Sequence, residues 1–263
     1  MGNDVDLKKS AEAFTPRTGD VYIVAYPRSG TTWLQMILYQ ILTRGDMNFT
    51  HISQFVPFLE RVSAHGGSLP ALLAKRTFKT HRPLSKVKRR GGKYIYLARN
   101  GKDVLASCYY FHKDYLKFEG PFEEFFEKFL SGNVRFGSWF RHIADSRLHA
   151  GDKSVLFIEY EDLVSNFEAR LDSIVSFLEL TMSPAKRAQV LERCSFQFMR
   201  QHESKFDYAT EVLWEKMHDP RSGKFIRKGG HGGWSDYLSA EQAMAFESAV
   251  LRLRQLEGVK VTT

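Results

Sequence analysis

Residues 21–42 read VYIVAYPRSGTTWLQMILYQIL, and the hydrophobic pattern changes period in the middle of this stretch. Val21 to Tyr26 form a run of β-branched and aromatic residues closed by Pro27, which predicts a buried strand. Arg28, Ser29 and Gly30 supply a turn, and the apolar run after Thr31 and Thr32 has helical length. Strand, tight turn and helix together make an anion cradle. The first N–H groups of a helix lack internal acceptors, and the helix dipole favours negative charge there. Gly30 permits an unusual backbone at close approach, Thr31 and Thr32 offer hydroxyl donors, and Arg28 adds a permanent charge. The general phosphate loop GxxxxGK[ST] is not met. Ala25 holds its first glycine position, and Thr31 stands where its lysine would be.

Three further β-rich runs lie downstream. TFKTH (77–81) ends at Arg82-Pro83, KYIYLA (93–98) at Arg99-Asn100, and SVLFIEY (154–160) at Glu161-Asp162. Helical patterns cover 103–113, 122–129, 136–147 and 163–178. Ser183-Pro184 opens another helix, and Ser239 with Gln242 forms a capping box before a last helix over 240–256. Strands alternating with helices predict a single α/β domain, a central and mostly parallel sheet flanked by helices on both faces. The domain is expected to span 18–263 behind a polar arm, 1–17. In such sheets ligands lie beyond the carboxyl ends of the strands.

Composition narrows the function classes. The chain has 263 residues, 43% apolar and 26% charged, with a formal net charge of +8. That balance favours anionic partners. The densest basic cluster, Lys86, Lys88, Arg89, Arg90 and Lys93, reads as a solvated loop. Two cysteines, Cys108 and Cys194, make neither a disulfide framework nor a metal set. No apolar stretch approaches the ~20 residues of a membrane span, and the first ten residues have no signal core. Gly2 lacks the Ser or Thr at position 6 of a myristoylation motif. A cytoplasmic setting with no membrane partner is expected.

Seven segments occur in order: YPRSGTTW (26–33), VPFLE (56–60), KTHRP (79–83), ARNGKDVLASCYYF (98–111), YEDL (160–163), CSFQFM (194–199) and RKGGHGGW (227–234). Together they resemble the cytosolic sulfotransferases, whose usual loop is YPKSGTTW. The resemblance implies 3′-phosphoadenosine 5′-phosphosulfate (PAPS) as sulfuryl donor and its bisphosphate, PAP, as product. It implies 5′-phosphosulfate contacts from Arg28, Ser29, Gly30, Thr31, Thr32 and Trp33, and a 3′-phosphate grip from Arg99, Ser107, Arg227, Lys228 and Gly229. Trp33, Tyr160, Ser195, Phe196 and Met199 would lie at or near the nucleotide, and Phe58, His81 and Phe111 would line the acceptor pocket. Residues 206–214 would form part of a lid.

The chemistry centres on Lys79-Thr80-His81. Strand alternation puts Lys79 and His81 on one face. Histidine suits a general base near neutral pH, and Lys79 can stabilise charge on the sulfuryl oxygens. The implied catalytic set is His81, Lys79, Arg28 and Ser107. The implied reaction is in-line transfer to a hydroxyl or amine of a small acceptor. No metal and no nucleic-acid partner are called for.

The chain departs from the family pattern at Arg28, at Cys194 in place of a usual threonine, and at Gly233 in place of a common aspartate. The family's dimerisation pattern is not intact, its frame reading Ser235, Ser239, Ala240 and Met244. Two other classes stay open on the residues: a nucleotide kinase using Glu159, Glu161 and Asp162 on a metal, and a basic, aromatic-rich nucleic-acid-binding module.

Overall fold

The computed structural model describes residues 14–62, 75–87, 91–207, 225–227 and 229–257. Most of the expected N-terminal arm, Lys88, Arg89 and Arg90 of the basic cluster, Lys228, and residues 208–214 of the expected lid lie outside the described residues.

Four strands, β1 Val21–Val24, β2 Thr77–Thr80, β3 Lys93–Ala98 and β4 Val155–Glu159, form one sheet in the order β2-β1-β3-β4. Every neighbouring pair is parallel, with Val21 opposite Thr77 and Lys93, and Tyr94 opposite Val155. A parallel sheet needs cover on both faces, and alternation along the strands shows it. Tyr22, Val24, Tyr94 and Tyr96 enter one buried cluster, whereas Val21, Ile23, Ile95 and Leu97 enter the other.

The first cluster is closed by α3 Gly101–Leu116, α5 Trp139–Arg147 and α10 Ala240–Glu257, through Val104, Trp139 and Phe246. The second is closed by α1 Thr31–Leu42, α7 Phe167–Phe177 and α8 Pro184–Arg193, through Leu34, Ile174 and Val190. The tyrosines of the first face are stacked across strands, Tyr22 on Phe78 at 5.5 Å and on Tyr94 at 4.9 Å. Such cross-strand aromatic pairs lock the register. Chain order reverses between β1 and β3, and the strand ends there open onto a common crevice.

The remaining helices are α2 Leu84–Val87, α4 Phe122–Ser131, α6 Tyr160–Ser165 and α9 Phe196–Gln201. Three sequence expectations are corrected by local chemistry. The helix expected at 136 begins at Trp139, because Gly137 is left-handed (φ 72°) and Ser138 caps by accepting from the Arg141 N–H. The single helix expected over 163–178 is two, α6 and α7, broken at Asn166, whose side chain donates to Asp162. The first helical turn of α3 forms two residues earlier than expected, capped by the Asn100 side chain. The Ser239–Gln242 capping box forms as expected, with reciprocal bonds of 3.0 and 3.1 Å.

His142 of α5 is 3% exposed, and the Tyr96 hydroxyl lies 2.9 Å from its Nδ1. Burial pushes its pKa from the usual 6.5 down to about 4. The folded state therefore disfavours the imidazolium, while the unfolded chain binds a proton below pH 6.5. Stability falls as pH drops from 6.5 toward 4 and levels off below. Urea unfolding at about pH 7 and about pH 4.5 is expected to show a loss on the order of 2–3 kcal/mol from this group. His142→Gln removes that part of the slope, and an unchanged slope in the variant contradicts the account.

Candidate active site

The site grows from the turn after β1. Arg28 and Gly30 both have left-handed backbone, φ 67° and 99°. That is ordinary for glycine and strained for arginine. A Cβ on Gly30 would meet the Tyr160 ring at 2.7 Å and a Leu97 methyl at 3.3 Å. Only a glycine lets the loop lie this close to the ends of β3 and β4. The turn feeds α1, whose first turn has no acidic residue and whose N-cap makes no side-chain bond. Its leading N–H groups are thus placed for an anion.

Arg28 explains its own departure from the resembled pattern. Its Nε donates to Ser107 Oγ (3.1 Å) on α3, and its Nη2 to the Phe225 carbonyl (3.3 Å). The guanidinium sits 5.1 Å from the Phe111 ring and 4.7 Å from the Phe225 ring. A planar fork can span these partners, and a lysine ammonium cannot. Burial lowers its pKa first of all, and the neighbouring charges of Arg99 and Arg227 lower it further. The cluster accordingly favours an anionic ligand.

Arg99 continues from β3. Its guanidinium lies 4.3 Å from the Tyr160 ring centre and donates to the Arg28 carbonyl (2.9 Å) and the Gly230 carbonyl (3.2 Å). Arg227 donates to the Tyr237 hydroxyl (2.6 Å) and lies 4.6 Å from the Tyr110 ring. The glycine-rich segment carrying it is tied to α3, since Asp103 accepts from the Gly232 and Trp234 N–H groups at 2.7 and 3.0 Å. A Cβ on Gly229 would meet the Phe196 ring at 2.0 Å, so this backbone lies directly on that ring.

Trp33 donates to the Cys194 carbonyl (2.7 Å) and meets Tyr160 edge-on. That bond uses the backbone of the residue replacing the usual threonine. Ser195 caps α9 by accepting from Phe198 N–H. Cys194 and Cys108 are both unpaired, buried thiols, and burial pushes Cys108 up to about 12.

The opposite wall is built on β2. The 56–58 segment is held by Gln35, which donates to the Val56 carbonyl (2.7 Å), and the Lys79 N–H donates to the Pro57 carbonyl (2.9 Å). Phe58 therefore lies beside Lys79 and 5.4 Å from His81. His81 Nδ1 is 2.8 Å from the Ala25 carbonyl. A carbonyl only accepts, so Nδ1 carries the proton and Nε2 is the basic nitrogen. Thr80 turns the other way and donates to Glu60 (2.5 Å).

These walls enclose a cavity of about 930 Å³ lined by Arg28, Gly30, Thr31, Thr32, Trp33, Phe58, Lys79, His81, Arg99, Ser107, Phe111, Tyr160, Ser195, Phe196, Met199, Arg227 and Gly229. Of the site residues expected from sequence, Ser29 is off the wall. It is 1% exposed, and its N–H closes the turn onto Tyr26. Sequence reasoning missed Arg61, Arg135, Phe136 and Phe225, which also line the cavity. Arg61 ends a 3-10 turn directly after VPFLE, and Arg135, Phe136 and Phe225 sit in connections with no motif of their own. Arg82 lies within KTHRP, where the sequence marks it only as the end of the strand, and Lys86 belongs to the basic cluster expected as a solvated loop; both line the cavity. Glu159, Glu161 and Asp162, the alternative metal ligands, are otherwise engaged. Glu159 pairs with Arg147 (3.0 Å), Glu161 accepts from Asn100 N–H (2.9 Å), and Asp162 pairs with Arg170 (3.1 Å).

A profile of the sulfotransferase domain matches residues 18–258. The chain is 34% identical to sulfotransferase 1B1 of the mouse over 254 residues, spanning 90% of this chain and 83% of that protein. It is 33% identical to human sulfotransferase 2A1, spanning 92% and 86%. Its fold superposes on mouse sulfotransferase SULT7A1 complexed with PAP with a TM-score of 0.76 and 27% identity, covering 95% of this chain and 89% of that one. The chain belongs to the sulfotransferase family, and it is a sulfotransferase of the cytosolic type. No helix among the described residues is long and apolar enough to cross a membrane.

Gly30→Ala puts a methyl group into the Tyr160 ring on a left-handed backbone. Thermal unfolding is expected to show a loss on the order of 1–3 kcal/mol. Part of it should be relieved in the double variant with Tyr160→Leu, which removes the clash but keeps the backbone strain. Strict additivity of the two changes argues against the contact.

Proposed function

We propose that this enzyme transfers the sulfuryl group of PAPS to a hydroxyl, or an amine, of a small and largely apolar or aromatic acceptor. The observation carrying this reading is that one cavity holds two cationic walls and, opposite them, a histidine with its tautomer set by the Ala25 carbonyl. The turn after β1, with Arg28, Thr31 and Thr32, receives the 5′-phosphosulfate. Arg99, Ser107 and Arg227, joined by Lys228 and Gly229, receive the 3′-phosphate. Trp33 and Phe196 offer ring faces to the base. The PAP in the related mouse structure supports this donor.

In the step itself the acceptor oxygen forms a bond to sulfur as the bond from sulfur to the bridging phosphate oxygen breaks. His81 Nε2 takes the acceptor proton, and the leaving phosphate keeps the electron pair. Arg28 and Lys79 neutralise the charge that develops. The reading assigns no step to a metal, and chelator-insensitive turnover is its consequence. A cytoplasmic setting is proposed on the unpaired thiols, with 18–263 as one domain.

His81→Ala is expected to lower turnover by about 10²–10⁴ while leaving PAP affinity near that of the wild type. Retained turnover with a hydroxyl acceptor removes His81 from the mechanism. Calorimetry provides a second check. PAP should bind far more tightly than 5′-AMP, and Arg99→Gln should erase most of that difference, about tenfold or more. Equal affinities in the wild type contradict the 3′-phosphate assignment.

A further inference from the structure

The cavity holds more positive charge than the nucleotide uses. Arg28, Lys79, Arg99 and Arg227 serve the donor in the reading above. Four more cations line the same cavity: Arg61, Arg82, Lys86 and Arg135. Against these eight, the described wall residues include one acid, Glu60, whose carboxylate accepts from the Thr80 hydroxyl. Burial raises the Glu60 pKa, which weakens it further as a counter-charge.

The extra cations are carried by segments next to His81 and its two ring neighbours. His81 lies between two phenylalanine rings, Phe58 and Phe136, each 5.4 Å away. Each ring also carries a guanidinium, Arg61 at 5.7 Å from Phe58 and Arg135 at 5.5 Å from Phe136. Arg82 follows His81 in the chain, and Lys86 stands on α2 just beyond Pro83. Arg82, Lys86 and Arg135 form no salt bridge among the described residues. An acceptor ring seated between the two phenylalanines, with its hydroxyl at His81, would direct its other substituents at this rim.

We infer that the acceptor itself bears an oxyanion, such as a carboxylate or sulfonate, on a short arm from the ring or chain that carries its hydroxyl, and that Arg82, Lys86 and Arg135 receive it. This rests on the sulfuryl-transfer reading and names its substrate class. Guanidinium groups pair with oxyanions through paired N–H donors. Lys86 and Arg135 are exposed at the mouth and Arg82 is half-buried, so each contact is weakened by solvent and the site works through their combined charge. The same field steers an anionic acceptor toward the mouth, an effect that salt screens.

The test compares three hydroxyaryl acids, 4-hydroxyphenylacetate, 3-(4-hydroxyphenyl)propanoate and 4-(4-hydroxyphenyl)butanoate, with their primary amides. Binding to the PAP-loaded enzyme is read by calorimetry beside kcat/KM with PAPS. At least one acid should exceed its amide by about tenfold or more in both. The margin should shrink as salt rises from about 0.02 to about 0.3 M. Arg82→Gln combined with Arg135→Gln should abolish the margin mainly through KM, and Arg82→Lys should restore part of it. Acids and amides binding alike in the wild type overturn the inference, whatever the variants do. Tighter binding of an acid without any transfer sustains the anion site and overturns the transfer reading instead. Transfer to the amides with no preference for the acids leaves the reaction standing and sinks the inference.

Discussion

The ring of Tyr160, at the end of β4, touches three parts of the cationic wall at once. It lies where a side chain on Gly30 would be, it underlies the Arg99 guanidinium at 4.3 Å, and it meets Trp33 edge-on at 5.9 Å. The strand ends of β1 and β4 are thereby joined across β3, and Arg99 is steered onto the Arg28 carbonyl. Two like charges at adjacent strand ends repel. They persist here because aromatic faces and backbone carbonyls stabilise them, and their remaining demand is for an anion. In the proposed reading, the shape of the turn that would receive the phosphosulfate rests on this contact.

Arg28 illustrates how a change of residue can be absorbed by its surroundings. Its fork links the phosphate turn to α3 and to the segment at 225–227. In a relative with lysine at this position, one ammonium would have to choose among those partners. The loop thus gains a mechanical link that a point charge does not provide, at the expense of a left-handed arginine. The cation proposed to face the leaving group is in this way coupled to the segment that carries Arg227.

The two walls differ in how they are held. The side proposed for the nucleotide is held by backbone groups and rings from the turn after β1, the end of β3, α3 and α6. The side proposed for the acceptor rests on β2, on the bond from Lys79 to Pro57, and on the rings of Phe58 and Phe136. Its outer cations, Arg61, Arg82, Lys86 and Arg135, come from short connecting segments rather than from the sheet, the part of a fold where specificity varies over a constant scaffold. A donor shared by a whole family and an acceptor peculiar to each member fit that division.

Much of this was legible in the sequence. Residues 21–42 alone imply strand, turn and helix, because the hydrophobic period and a glycine at the bend leave few alternatives. The parallel sheet follows from alternating elements, and Lys79 and His81 share a face by strand geometry alone. The resemblance added the site residues, and the cavity contains nearly all that the structure describes. What the sequence could not reveal depends on distant contacts. The tautomer of His81 is set by a carbonyl 56 residues away, and Ser29 is lost to the turn because its neighbours bury it. The helix break at Asn166 is a contest between one side-chain bond and an otherwise continuous apolar pattern. The cations around His81 come from separate segments, Arg61 after VPFLE, Arg82 and Lys86 after β2, and Arg135 between α4 and α5, and they meet at one cavity only in the folded chain. Local propensity and periodicity act over a few residues and can be read along the chain, whereas the electrostatics of a cavity sum over elements that meet only when the chain has folded.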